Sequence, residues 1–430
     1  MNRRWEFDAL RGLMLVLMTF THLPSRLSSP LGQPFGFVSA AEGFVLLSAV
    51  MAGMIYGRMA RRDGIEAMER AFWKRALKVY LCQLALMLFL FTVVAMLGLA
   101  RGEPAVTNLM SFYLQHPVLA LPAAALLVYQ PALMDILPMY VLFMLASPWV
   151  MAWGLRRGWG PVMALSVGLW VVAQFGVEMR LHGLLEHHLA FPVPWRDTGA
   201  FSLMAWQFLW VMGLWLGAGR QPHSPPHLRF PSWAVTLAVM LALVGLAWRH
   251  TMGQAPFGAN VALNMVFDKW QLAPMRVLNL FALIVVVLRF GPWLAARMPR
   301  LRWLETLGMA SLPVFCAHLV VVLLVLSIWG GSPTARPVWG DVLLVAGCFG
   351  ILYAVARISV ALDRLPPRGK GGRPAAPFSA RPSPSPHAPV PVQAPTAAAA
   401  SMPTSSARPA PLSPPSPPLG PVPPVPPAPL

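Results

Sequence analysis

The stretch LGMASLPVFCAHLVVVLLVLSIW, residues 307–329, runs for 23 residues with a single ionisable side chain, His318. As an α-helix it would be about 34 Å long, and the hydrocarbon core of a bilayer is roughly 30 Å thick. Lipid offers an unpaired backbone amide no partner, so such a segment has to be helical. Ser311, Phe315 and His318 recur at i, i+4 and i+7 and share one helix face. An ionisable group in that setting is a functional candidate by default.

Working outward, nine more segments read the same way: 9–24, 36–57, 76–99, 131–153, 161–178, 200–218, 232–249 and 275–290 before it, and 338–360 after it. The composition agrees. Hydrophobic residues make up 57% and charged residues only 11%, with a mean hydropathy of +0.60; a soluble domain carries about 25% charged residues. The expected fold is therefore an all-α polytopic membrane bundle of about ten transmembrane helices. The apolar segment 119–129 is too short to cross and is bracketed by Pro117, Pro122 and Pro131, so it reads as re-entrant or interfacial. The first segment lacks a small-residue cleavage site and is not a signal peptide.

Half of the 46 prolines lie beyond residue 365. This divides the chain into a membrane domain, 1–362, and a disordered Pro/Ala/Ser-rich tail, 363–430, which has too little apolar surface to bury a core. The formal charge of +18 follows topology. With the N-terminus in the cytoplasm, 25 of the 33 Lys and Arg fall on the cytoplasmic side, where the positive-inside rule expects them. Both termini are then cytoplasmic and the chain sits in the lipid bilayer; a nucleic-acid partner is excluded, since no basic soluble face exists. Cys82, Cys316 and Cys348 fall inside apolar stretches and read as small core residues, so neither a disulfide set nor a metal site is expected.

Few ionisable or polar groups remain in the spans and their outer mouths. Those that stand out are His22, Glu42, Asp135, Trp206 with Gln207, Lys269, Arg276, Asn279 and His318. Six spans place such groups at mid-depth or in the outer half, which describes one cavity open to the outside. Glu42 and Asp135 have two readings, as site carboxylates or as structural partners of Arg276 and Lys269. Gln207 can equally be interhelical packing, Trp206 and Lys269 interfacial anchors, and Arg75 and Lys78 a cytoplasmic interface.

Arg11 and His22 stand apart because of their spacing. Eleven residues make almost three turns and about 16 Å of rise, so both project from one face of the first span. A cation at the inner mouth and an imidazole deep on the same stripe suit a long donor with a phosphorylated head, such as a coenzyme A thioester. Imidazole, titrating near neutrality, is the usual general base for a hydroxyl attacking a thioester.

These residues resemble a known group. Arg11-x10-His22, the glycine-rich Glu42-Gly43-Phe44-Val45-Leu46-Leu47-Ser48 and the basic Arg75-Ala-Leu-Lys78-Val-Tyr80 are similar to the blocks of the membrane acyltransferase 3 family. The OpgC branch is closer. Its matching blocks are Phe7-Asp8-Ala-Leu-Arg11-Gly12, Ser39-Ala-Ala-Glu42-Gly-Phe and Gln130-Pro131 through Asp135-Ile-Leu-Pro138-Met-Tyr140. Ala205-Trp206-Gln207, Asp268-Lys269 through Arg276 and Leu307-Gly308 through His318 complete the series, covering about residues 5–320. The resemblance implies a bacterial inner-membrane O-acyltransferase that moves an acyl group, typically succinyl, onto osmoregulated periplasmic glucans. It implies acyl-CoA (succinyl-CoA or acetyl-CoA) as co-substrate with no permanently bound cofactor. By position, His22 would be the catalytic base with Glu42, Asp135 and His318 around it. Arg11, Arg75 and Lys78 would bind the donor, and Trp206, Gln207, Lys269 and Arg276 the acceptor. Two departures stand out: Ser48-Ala49 where Ser-Gly is frequent in the wider family, and the long tail. The alternative class is a proton-coupled secondary transporter of a small solute or glycan, with His22, Glu42 and Asp135 as the relay; no internal repeat of the kind frequent in transporters is visible.

Overall fold

The structure, a computed structural model, describes residues 5–219, 230–332 and 336–364. The tail expected from 363 onward lies almost wholly outside the described residues. Among these the elements are helices, with one isolated β-bridge between Phe35 and Val38.

Twelve helices matter here. In chain order they are α1 (Trp5–His22), α2 (Ala40–Asp63), α3 (Ile65–Arg101), α4 (Ile136–Arg157), α5 (Trp159–Ala173) and α6 (Val177–Leu189). There follow α7 (Leu203–Ala218), α8 (Ser232–Met252), α9 (Pro274–Arg297), α10 (Arg302–Met309), α11 (Ser311–Trp329) and α12 (Val338–Arg364). The end of the bundle at Trp5 is called lower below, and the end at His22 upper.

Seven of these helices are long and apolar enough to cross a bilayer, eight if the pair α5–α6 counts as one broken span. The ten expected segments each fall on a helix. Two fail the length or polarity test: α7 has only 16 residues, and α1 opens with Glu6, Asp8 and Arg11. The expected straight span over 161–178 is instead a helix that stops at Ala173 and turns by 68° into α6. The turn ends at Gly176, whose φ of 67° lies in the left-handed region that glycine enters without a Cβ clash. The segment 119–129 overlaps a nine-residue helix, Pro117–Ala125, beside α3, where Tyr80 donates its hydroxyl to the Ala125 carbonyl at 2.9 Å. Nine residues give about 14 Å of rise, too little to cross.

Two helix crossings position the site, and both rest on missing side chains. In the α2–α7 pair, Gly213 and Gly217 form a small-xxx-small stripe of the kind that lets membrane helices approach backbone to backbone. A Cβ on Gly217 would stand 2.1 Å from the Val50 carbonyl oxygen. Gly217→Leu is therefore expected to prise the pair apart and to destabilise the protein by about 1–3 kcal/mol, read as a lower thermal midpoint of the detergent-solubilised protein. An unchanged midpoint would refute the packing argument.

The second crossing sets α10 against α1. A Cβ on Gly308 would meet the Asp8 carbonyl oxygen at 1.8 Å, and one on Gly12 would meet that of Leu304 at 2.0 Å. Residue 8 thus faces 308 and residue 12 faces 304, so the two helices run in opposite senses. The chain then breaks at Ala310 and restarts as α11, whose first residue, Ser311, accepts a hydrogen bond from Arg11 Nη2. Tight glycine packing of α10 is what brings the foot of α11 to α1.

Candidate functional site

Two cavities lie along α1. The lower one, about 290 Å³, is lined by Arg11, Arg75, Ser48, Tyr56, Tyr140, Ser311 and the aromatic faces of Phe44 and Phe315, among others. Arg11 is held there by Ser311 and by Met51, whose Sδ lies 3.2 Å from Nη1. The upper one, about 590 Å³, is lined by His22, Gln33, Asp135, Arg249, Asp268, Lys269, Trp270 and Arg276, among others. Ile136 belongs to both walls. The three full turns between Arg11 and His22 thus place one residue in each chamber.

His22 is not alone. Its Nδ1 lies 3.1 Å from Nε2 of His318, and the two rings are nearly parallel, 16° apart. His318 is 1% exposed, and its Nδ1 is 2.6 Å from the carbonyl oxygen of Phe315. A carbonyl oxygen only accepts, so His318 Nδ1 carries the hydrogen. The lone pair of neutral His318 is then on Nε2, which makes His22 Nδ1 the donor of the bond between the rings. Neutral His22 is left with its lone pair on Nε2. A backbone carbonyl two rings away thus sets the tautomer of a histidine that lines the upper cavity, the role that second-sphere acceptors usually play for functional histidines.

Glu42 is buried at 1% exposure, and both of its oxygens are engaged. Oε2 accepts from the Ser39 backbone amide at 3.0 Å and from its hydroxyl, closing a capping box at the start of α2. Oε1 accepts from Arg276 Nε at 2.9 Å and Nη2 at 2.6 Å. Glu42 therefore pins α9 to the start of α2, and of its two sequence-based readings the ion pair with Arg276 is the one observed. Asp135 lines the upper cavity at 6% exposure and accepts from the Ala200 amide through Oδ2 at 3.2 Å; it has no salt bridge to Lys269. Lys269 stands over the Trp270 and Phe201 rings, 4.6 and 5.8 Å from their centroids. Burial pulls its ammonium below the ordinary lysine value; Glu42 opposes that shift, Arg276 reinforces it and Asp135 opposes it.

Five expected site residues line neither cavity: Glu42 and His318, which touch the lining residues Arg276 and His22, and Lys78, Gln207 and Trp206. Lys78 is exposed; it is Val79, a full turn beyond Arg75, that shares the lower cavity with it. Gln207 ties α7 to α5, accepting from the Ser166 hydroxyl and donating to the Ser166 carbonyl, both at 2.8 Å. Trp206 is fully buried and donates Nε1 to the Trp270 carbonyl at 3.0 Å, so it holds the loop that carries Lys269 instead of facing the cavity. Conversely, Arg249 and Tyr56 line the cavities although their sequence context gave no signal: Arg249 sits near a span end, where a flanking cation is ordinary.

No curated protein and no solved structure matches the chain. A protein-family model described as OpgC protein matches residues 3–364, a range that takes in both cavities, the paired histidines and every residue discussed above. The chain belongs to the OpgC family.

Proposed function

We propose that the protein is a membrane-bound acyltransferase of the bacterial inner membrane that moves an acyl group, succinyl in the first instance, from acyl-CoA to a hydroxyl of a periplasmic glucan. The observation that carries this reading is the chain from the Phe315 carbonyl through His318 to His22. It leaves His22 Nε2 as a base of defined tautomer in a cavity roomy enough for a sugar. The lower face is then cytoplasmic, with both termini there, and the upper face periplasmic.

The donor head rests near Arg11 and Arg75 in this reading, and its arm runs up beside α1 over the ~16 Å that separates Arg11 from His22. The glucan hydroxyl enters the upper cavity. Nε2 of His22 takes its proton as the oxygen attacks the thioester carbonyl, and the imidazolium that forms donates through Nδ1 to neutral His318. The tetrahedral oxyanion then collapses, the carbon–sulfur bond breaks, and the thiolate leaves with the proton held on Nε2. Lys269 is the cation suited to the oxyanion, because among the described residues no carboxylate forms a salt bridge with it, whereas two donors of Arg276 are already taken by Glu42. Preorganised positive charge of this kind is commonly a large part of acyl-transfer catalysis. Succinylation would give a neutral polymer fixed negative charge.

The test is binding of labelled acyl-CoA to the purified protein. Arg11→Ala and Arg75→Gln are each expected to weaken it at least fivefold, the size of one lost charge-assisted contact. Absence of binding together with a proton-coupled solute flux in vesicles would instead favour the transporter.

A further inference from the structure

The upper cavity holds more positive charge than the reaction just described requires. Of its three cations, Arg276 is neutralised by Glu42 and Lys269 is assigned to the oxyanion. Arg249 makes no hydrogen bond or salt bridge among the described residues, and its Nε is buried without a partner. A guanidinium left in that state at a cavity wall is poised for an anion, since a buried unpaired donor on a charged group is costly to leave unmade.

Its position is built by the fold. The α8 helix is largely exposed along its length and packs on α9. It comes close at Gly245, where a Cβ would stand 2.7 Å from Asn279 Nδ2, and the turn at Gly36 lies against the same spot. Asn279 in turn accepts from the Phe37 amide at 3.2 Å. Arg249 is four residues beyond Gly245, one turn up on the same face, so the contact that seats the helix also delivers the guanidinium to the cavity. The α1 helix packs on α2, α10 and α11, so His22 and Arg249 enter the chamber from different walls.

We propose that Arg249 is a specificity-determining residue that pairs with the free carboxylate of a dicarboxylic acyl group while His22 serves the hydroxyl attacking its thioester end. This assignment rests on the acyl-transfer reading. It explains how an Arg–His stripe common to many acyl donors would be made selective for a donor with a charged end. A bidentate guanidinium–carboxylate contact discriminates against a neutral chain of the same length because the neutral chain leaves the arginine unpaired.

The test uses the full-length protein in lipid nanodiscs with a glucan acceptor and three donors in competition: succinyl-CoA, butyryl-CoA and the monomethyl ester of succinyl-CoA. Acyl groups on the glucan are counted by mass spectrometry. The unsubstituted protein is expected to prefer succinyl over both neutral donors by at least tenfold. Arg249→Gln is expected to lower the succinyl-to-butyryl ratio tenfold or more, and Arg249→Lys to recover at least part of it. Equal use of succinyl and its methyl ester by the unsubstituted protein would overturn the assignment without any variant, and so would an unchanged ratio in R249Q. Absence of transfer from all three donors would overturn the acyl-transfer reading itself.

Discussion

His22→Ala is expected to reduce glucan acylation by about 10²–10⁴-fold, the usual contribution of a positioned general base, while the protein still accumulates in the membrane. Accumulation should persist because His22 closes α1 at its upper end and is only partly buried, so its removal leaves no sealed core cavity. The measurement is mass spectrometry of glucans extracted from the periplasm of a strain carrying only the variant, with membrane protein level as the control. Full acylation would sink the assignment of the base. His318→Ala tests the pairing separately. Without the acceptor at His318 Nε2, His22 is free to place its hydrogen on either nitrogen and loses the partner of its imidazolium. A smaller loss than in H22A is expected, and His318→Gln, which keeps an acceptor, is expected to lose less than H318A. Equal effects in all three variants would mean that His318 is not acting through the ring of His22.

That pairing shows where sequence ceases to be informative. The spacing of Arg11 and His22 was legible because both lie on one helix, and helical geometry alone fixes their relation. The shared face of Ser311, Phe315 and His318 was legible for the same reason. That the two faces meet was not, since it depends on the break at Ala310 and on the approach of Gly308 to the Asp8 backbone. The misplaced residues follow the same rule. Lys78 and Gln207 were assigned by residue type within a span, but which neighbour each helix face meets is a tertiary fact. Arg249 had the opposite problem. At a span end a cation needs no explanation, and only Gly245 one turn below hints that this helix face is pressed against another chain segment. The apolar segments, by contrast, were marked from length and hydropathy alone, and seven of the ten fall on helices long and apolar enough to cross a bilayer, which is why the helical bundle was readable before any contact was known.

Glu42→Ala should be the most destabilising single change among the site residues. It removes three things at once. The start of α2 loses its capping box, typically worth about 1 kcal/mol. Arg276, 5% exposed, loses both of its short donor contacts and is left as a buried uncompensated charge, a situation that costs about 3–5 kcal/mol. The tether between α2 and α9 goes as well, and with it the wall that holds the loop of Lys269. The expected result is a sharply lower thermal midpoint and reduced accumulation in the membrane. Glu42→Gln should fall between E42A and the parent, since its single amide oxygen still accepts from the guanidinium while the NH2 in place of Oε2 can no longer accept from the Ser39 amide. The informative variant is the double one. If the pair is a positioning device and not a net source of stability, replacing both partners with apolar residues of similar volume, as in Glu42→Leu with Arg276→Met, should recover much of the midpoint lost in E42A. Glucan acylation should nevertheless stay low, because Lys269 and the start of α2 would be held by packing alone. A stable and fully active double variant would show that the ion pair serves neither purpose, and an E42A protein as stable as the parent would show that Arg276 finds another partner.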